Sequence, residues 1–243
     1  MPEQEVLILA MTKMKSGICT AGFTTERAPV TGLRWVRPTR EFDTVLPEDM
    51  MDADGRLIHC GDVVSLKLLA PRPDPPHIED WVTDFVRHRP QRLRRLKGEK
   101  RAAFFQNYLD QAPAEVFIDH ARSLCLVQPE QVWASFFLDK YSGKYQARLR
   151  FTLPGEHQCP RALQSRGLPV TDLKWRALGR QWLATHPAGV LCLEHDALLE
   201  RLAAAALYLT LGISRQWQGE YWPLVHAVHI VPDYDARIDL ENL

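Results

Sequence analysis

Residues 71–80, PRPDPPHIED, carry four prolines in ten positions. Each proline removes a backbone N–H and fixes φ, so neither a regular helix nor a central strand can run through this stretch. The sequence therefore predicts a first unit over residues 1–70, a Pro-rich linker with an insertion over 71–121, and a second unit over 122–243. A chain of 243 residues is long enough to bury a core in each unit.

Before the prolines the signals are those of strands. Val6 to Ala10 is an apolar run too short for an ordinary helix, and it closes on the polar TKMKSG turn. ICTAGF follows, then the LRWVRP stretch, and then GDVVSLKLLA. In LRWVRP a period of two puts Leu33, Trp35 and Arg37 on one face and Arg34, Val36 and Pro38 on the other. After the prolines, residues 87–101 hold eight Lys/Arg against the single acid Glu99 and lead into GEKRAAFFQNYLDQ, which predicts a basic helical insertion. SLCLVQPE and the VWASFFLDKYSGKYQARLRFTL pair return to strand character, the latter as a hairpin turning at YSGK. PVTDLKWRALGRQWL reads as a helix with Thr171 or Asp172 as N-cap, EHDALLERLAAAA as another, and LYLTLG and YWPLVHAVHIVP as closing strands. LRWVR at Leu33 is faintly echoed by LKWRA at Leu173, which hints at related halves.

Charge narrows the function. Thirty Lys+Arg balance thirty Asp+Glu, so the chain as a whole exerts no pull on nucleic acid or acidic membranes, and any anion site must be a local patch. No apolar run approaches a membrane span, and acids rather than a basic leader precede the first apolar run, so the expectation is a cytoplasmic protein without a membrane partner. Five scattered cysteines suit reduced packing thiols better than a disulfide framework. His157 and Cys159 with Cys192 and His195 are a donor set zinc accepts, but no CxxC knuckle is present, so no metal and no cofactor is expected. His226 and His229, three apart on a strand, face opposite sides. There is no P-loop, GxGxxG, GxSxG or HExxH, which points away from catalysis.

The N-terminal strand ending in Thr12-Lys13, the Cys19-Thr20-Ala21-Gly22 segment, and Thr31-Gly32 leading into Trp35-Val36-Arg37-Pro38 together resemble the dual OB-fold domain family of bacterial proteins. TDLKWR at 171–176, LYLTLGIS at 207–214 and LVHAVHIV at 224–231 extend the resemblance. It implies two small OB-like β-barrels packed together and a binding role in bacterial genome conflict or antiviral defence, with nucleic acid as ligand. The fold expected is thus α+β and β-rich, two OB-like barrels with a basic helical insertion.

Two readings stand at each candidate position. Trp35 packs in a core while Arg34 and Arg37 stay reachable, or all three form a stacking and phosphate-binding face. Arg92, Arg94, Arg95 and Lys97 are a solvated helix face, or they meet phosphates and release counterions. Asp172, beside Lys174, Trp175 and Arg176, caps a helix, or it accepts from a nucleobase edge. The functional reading joins these residues with Lys13 into one surface for nucleic acid or a nucleotide, acting by contact and positioning. The rival is a scaffold whose grooves bind a protein partner through its seven tryptophans and its arginines.

Overall fold

The computed structural model describes residues 3–14, 16–28, 31–155, 159–238 and 240. Strands β1 (Gln4–Lys13), β2 (Ile18–Thr24), β3 (Trp35–Thr39), β4 (Asp62–Leu66), β5 (Leu68–Pro71), β6 (Asp80–Thr83) and β7 (Gln91–Arg95) make one seven-stranded sheet in the order β5-β6-β3-β2-β1-β4-β7. Its pairs are antiparallel except β3 with β6. Helices α1 (Gly98–Asn107) and α2 (Ala114–Phe117) follow. Then come β8 (Leu124–Val127), β9 (Gln131–Leu138), β10 (Tyr145–Thr152), β11 (Leu168–Pro169), α3 (Leu173–Ala184), β12 (Val190–Leu193), α4 (His195–Leu202), β13 (Ala206–Ile213) and β14 (Pro223–Val231). They form a four-stranded sheet, β11-β10-β9-β12, and a three-stranded sheet, β14-β13-β8.

β1 explains why its sequence is apolar without alternation. Val6, Ile8 and Met11 face the core of the first sheet, with Ile18, Val36, Val64 and Trp81. Leu7, Leu9 and Ala10 face the other way, onto Leu124, Leu126, Tyr208 and Ala227 of the C-terminal sheet. A strand covered on both faces reads as a continuous apolar run. A bulge between Ile8 and Ala10 bends β1, and the Leu9 carbonyl accepts from the Thr210 hydroxyl of β13 at 3.3 Å. β13 is two-sided as well: Leu207, Leu209, Leu211 and Ile213 enter the second core with Phe136, Phe151 and Trp175.

The proline-rich stretch lies inside the first sheet, between β5 and β6, which pair with each other, and β7 belongs to the same sheet. The turn it forms leaves the prolines outside a central strand, as their chemistry requires. Residues 71–121 are therefore only partly an insertion, and the basic run is strand before it is helix. Gln91, Arg92, Arg94 and Arg95 pair with β4, and the helix starts at Gly98. Charge along an outermost strand discourages further strand pairing, a structural use for that run. The LRWVR/LKWRA echo has no structural counterpart, since the first is strand β3 and the second opens helix α3.

Asp172 settles one of the open readings: it is the N-cap of α3. One carboxylate oxygen accepts from the amides of Lys174 (2.8 Å) and Trp175 (3.3 Å), and the other accepts from Val228 of β14 at 2.8 Å. Around it Lys13 N–H donates to the Thr171 carbonyl at 2.8 Å, and Thr171 N–H donates to Val225 at 2.9 Å. One buried carboxylate thus ties α3 to β14 beside the end of β1. Burial pushes its pKa up to about 6, against the lowering effect of the three amides and Lys174.

Because the folded pKa lies above the ordinary 3.8, the folded chain keeps a proton the unfolded chain has lost between those values. The contribution of Asp172 to stability is then greatest below the unfolded value and falls as pH rises through about 6. Asp172→Ala is expected to destabilise by about 1–3 kcal/mol, from a lost cap and amides left without an acceptor. In urea unfolding the gap between wild type and variant should narrow as pH rises from below the ordinary carboxylate value to neutrality. A gap independent of pH would contradict this account.

Candidate functional site

β1 and β3 end, and β2 begins, near the exit of β13 and the entry of β14, and a cavity of about 430 Å³ opens between them. Its apolar wall includes Ile18, Val45, Ile213 and Leu224. Lys13, Arg37, Arg40, Arg72 and Arg215 line it, against one carboxylate, Asp43. Trp217 also lines it with 66% of its surface exposed.

Arg37 is the centre of this arrangement. Its amide donates to the Glu79 carbonyl at 2.7 Å, and its Nε donates to Asp80 Oδ1 at 2.5 Å. The other oxygen of Asp80 takes a hydrogen bond from Arg215, whose second nitrogen reaches Asp74 at 2.9 Å. Asp80 is thus held by an arginine from each end of the chain. Nearby, the Glu79 carboxylate accepts from Ser123, just before β8, and from Leu124, its first residue, and burial raises its pKa.

Three groups on the cavity wall have no hydrogen-bond partner among the described residues: Arg37 Nη2, Arg40 Nε and His226 Nε2. Arg37 and His226 are both more than nine-tenths buried. Burial and the neighbouring Arg37 hold His226 down to about 3, so its ring is neutral around pH 7. His226 sits at an irregularity of the β13–β14 ladder, where Ala227 pairs with Thr210 and Val225 with Leu211. The pKa of Lys13 is lowered by burial and then by Arg176, Arg180 and Lys144.

The structure brings only Lys13 and Arg37 of the expected residues into this cavity. Arg37, expected as a reachable surface contact, is buried in the ion pair with Asp80 because β6 lies directly beside β3. Trp35 is buried edge-on against Phe23 at 4.4 Å, and Arg34 lies over Tyr108 at 5.7 Å. Arg92, Arg94 and Arg95 meet Asp52, Glu5 and Asp62 at 3.6, 2.7 and 2.7 Å, so carboxylates already answer their charge. Arg95, Lys97 and Lys174 line a separate cleft of about 470 Å³ in which Asp233 pairs with Lys174 and Arg101. Trp175 is wholly buried against Phe136 and Trp182, which excludes it from any surface. Arg176 donates to the carbonyls of Val170 and Tyr145.

Sequence reasoning missed Arg40, Arg72, Arg215 and Trp217. Arg40 lies two residues after LRWVRP, and SRQWQ after LYLTLGI repeats its mixture of arginine and tryptophan. Of the four residues weighed as a zinc donor set and set aside, His157 lies outside the described residues, Cys159 is buried and Cys192 is exposed. His195 Nδ1 accepts from the Val132 amide at 3.2 Å. Among the described residues no cluster of three metal-ligating side chains occurs.

A family model for the dual OB-containing domain matches residues 4–228. The chain belongs to this family. Neither a search of curated proteins nor a search of solved structures returned a significant match. As a dual OB-containing domain the chain is an OB-fold binding module, its β-rich, curled sheets are those of OB-like half-barrels, and the Arg37 cavity lies at the seam between its halves. No helix among the described residues is long and apolar enough to cross a membrane.

Removing one partner of a buried ion pair leaves the other charge uncompensated, at a cost of about 3–5 kcal/mol. Arg37→Ala is therefore expected to lower the melting temperature substantially. Arg72→Ala, which removes bonds only to the exposed carbonyls of Arg40 and Glu41, should stay within about 0.5 kcal/mol of wild type. Thermal unfolding of the two variants checks this, and equal stability would show that Arg37 is not a structural member of the seam.

Proposed function

We propose that this dual OB-containing domain binds a phosphate-bearing ligand, a nucleic acid or a nucleotide, in the cavity at the seam. One observation carries the reading: five cations line the cavity, two of them, Lys13 and Arg72, without a carboxylate partner among the described residues, around a buried guanidinium whose Nη2 is unpartnered among them as well. A buried donor without an acceptor costs about 1–3 kcal/mol, and a phosphate oxygen supplies a charge-assisted acceptor. Guanidinium forks suit phosphate better than ammonium groups do, and four of the five cations are arginines. Trp217 offers an exposed ring for base stacking, worth about 1–3 kcal/mol in other single-strand binders.

On this reading the module works by contact and positioning. The bacterial defence or genome-conflict setting implied by the family resemblance would use it as a sensor or adaptor for nucleic acid.

The test is binding of fluorescent nucleotides and short oligonucleotides at low salt, with Lys13→Glu/Arg72→Glu as the variant. Affinity should fall about tenfold or more in the variant, with folding retained, and should weaken steeply with added salt in the wild type. Absence of binding to every phosphate-bearing probe at low salt would remove the proposal and leave a protein-binding scaffold as the better account.

A further inference from the structure

The cavity is electrostatically lopsided. On the side of Arg40 acids crowd the rim: Asp49 bonds Arg40 at 2.7 Å, with Asp43 and Glu48 also acting on its charge. Asp74 and Asp80 similarly hold Arg215. On the side of Lys13 the surroundings are different. The Lys13 amide is bonded to Thr171, just before α3, and Arg176 on the first turns of α3 reaches back to the Val170 carbonyl at 3.2 Å. Arg176 and Arg180, one helical turn apart, both lie over the ring of Tyr145, at 5.1 and 5.0 Å from its centre. Lys144 precedes that tyrosine on the exposed β9–β10 turn.

Among the described residues none of Lys13, Lys144, Arg176 and Arg180 has an ion-pair partner. Of the other cations near the cavity, Arg37 and Arg215 share Asp80 and Arg40 has Asp49, while Arg72 donates to the carbonyls of Arg40 and Glu41. Four cations packed closely enough that three of them depress the ammonium of the fourth are a cost to the folded chain. The Tyr145 ring offsets part of it through its π face. Beyond Lys144 the turn presents Tyr141, 85% exposed, with Lys140 at 4.7 Å from the ring centre.

We infer that the ligand is a single-stranded nucleic acid that seats one end in the cavity and leaves past Lys13 along the face made by Arg176, Arg180 and Lys144. This rests on the phosphate-binding reading above and adds to it the class of ligand and its direction. A free nucleotide would fill the cavity and leave the outer cations unanswered. A duplex end is far wider than a cavity of about 430 Å³. On the far side Arg40 and Arg215 are already held by carboxylates, so a backbone continuing that way finds fewer available cations and the strand ends there. Arg176 and Arg180 are separated by about 6 Å along the helix axis, close to the spacing of successive phosphates in an extended strand. Tyr141 lies where a base farther along the strand can stack.

The experiment compares a mononucleotide (dTMP or UMP) with oligothymidylate and oligouridylate about a dozen nucleotides long, single-stranded and as duplexes, on wild type and on Lys144→Glu/Arg180→Glu. The single-stranded oligomer, as DNA or RNA, should bind the wild type about tenfold or more tightly than the mononucleotide and more tightly than the duplex. The double variant should lose that advantage, with mononucleotide affinity falling far less than oligomer affinity. Two phosphate contacts removed at about 0.7 each should make the slope of log affinity against log salt shallower by about 1.4. Should charge reversal impair folding, Lys144→Gln/Arg180→Gln takes its place with the same expectation. A mononucleotide bound as tightly as the oligomer, a duplex bound more tightly than the single strand, or an oligomer indifferent to the variant overturns this inference and leaves the cavity reading intact. No binding of any probe overturns both.

Discussion

Strand β1 has no solvent face, and most of the architecture follows from that constraint. Val6, Ile8 and Met11 belong to one core and Leu7, Leu9 and Ala10 to the contact between the sheets. At roughly 25 cal/mol per Å² of apolar surface, burying both sides of the seven residues from Val6 to Thr12 makes the junction a large part of the hydrophobic gain, not an accessory to two finished domains. The polar groups at the junction need partners inside it, and Thr210, Asp172 and Glu79 have them. Thr210 donates to the carbonyl at the β1 bulge, and Asp172 gathers three amides from α3 and β14. Glu79 gathers amides at the start of β8.

The same junction builds the candidate site. Where β1 runs out, the sheets part, and the polar groups at their edges have fewer neighbours than in the interior. Asp80 joins Arg37 to Arg215 across this opening, so the shape of the cavity is tied to the docking of the two sheets. The distribution of charge makes the distinction between structural and available cations. Arginines of β7 and of the second cleft meet carboxylates, whereas Lys13 and the arginines of α3 do not among the described residues. A neutral total conceals this partition, because net charge sums over pairs that already cancel.

The elements themselves were largely legible in the chain. The β9–β10 hairpin turns around Gly143, which adopts a positive φ of 67° that glycine accepts without strain. Asp172 ahead of an amphipathic LKWRALGRQWL announced a capped helix, and the cap is there. The errors came where a local signal had two physical meanings. A basic run that suits a helix also suits a strand protected from further pairing, and β7 became the latter because β4 offered it hydrogen bonds. An alternating LRWVRP could not tell Trp35 and Arg37 apart from surface groups, since burial of Arg37 depends on Asp80 arriving from 43 residues away.

From its own order of residues, then, the chain determined its β-rich character, its family, its helix cap and its turns, because these depend on neighbours within a few positions. Only the tertiary structure decided which charges remain available. Arg37, Arg40, Arg72 and Arg215 come from distant parts of the chain, and Lys13 feels the charge of Arg176 because the end of β1 bonds the residue before the α3 cap. Whether a cation is spent on a carboxylate or left for a ligand is a property of distance in space, and sequence separation carries no measure of it.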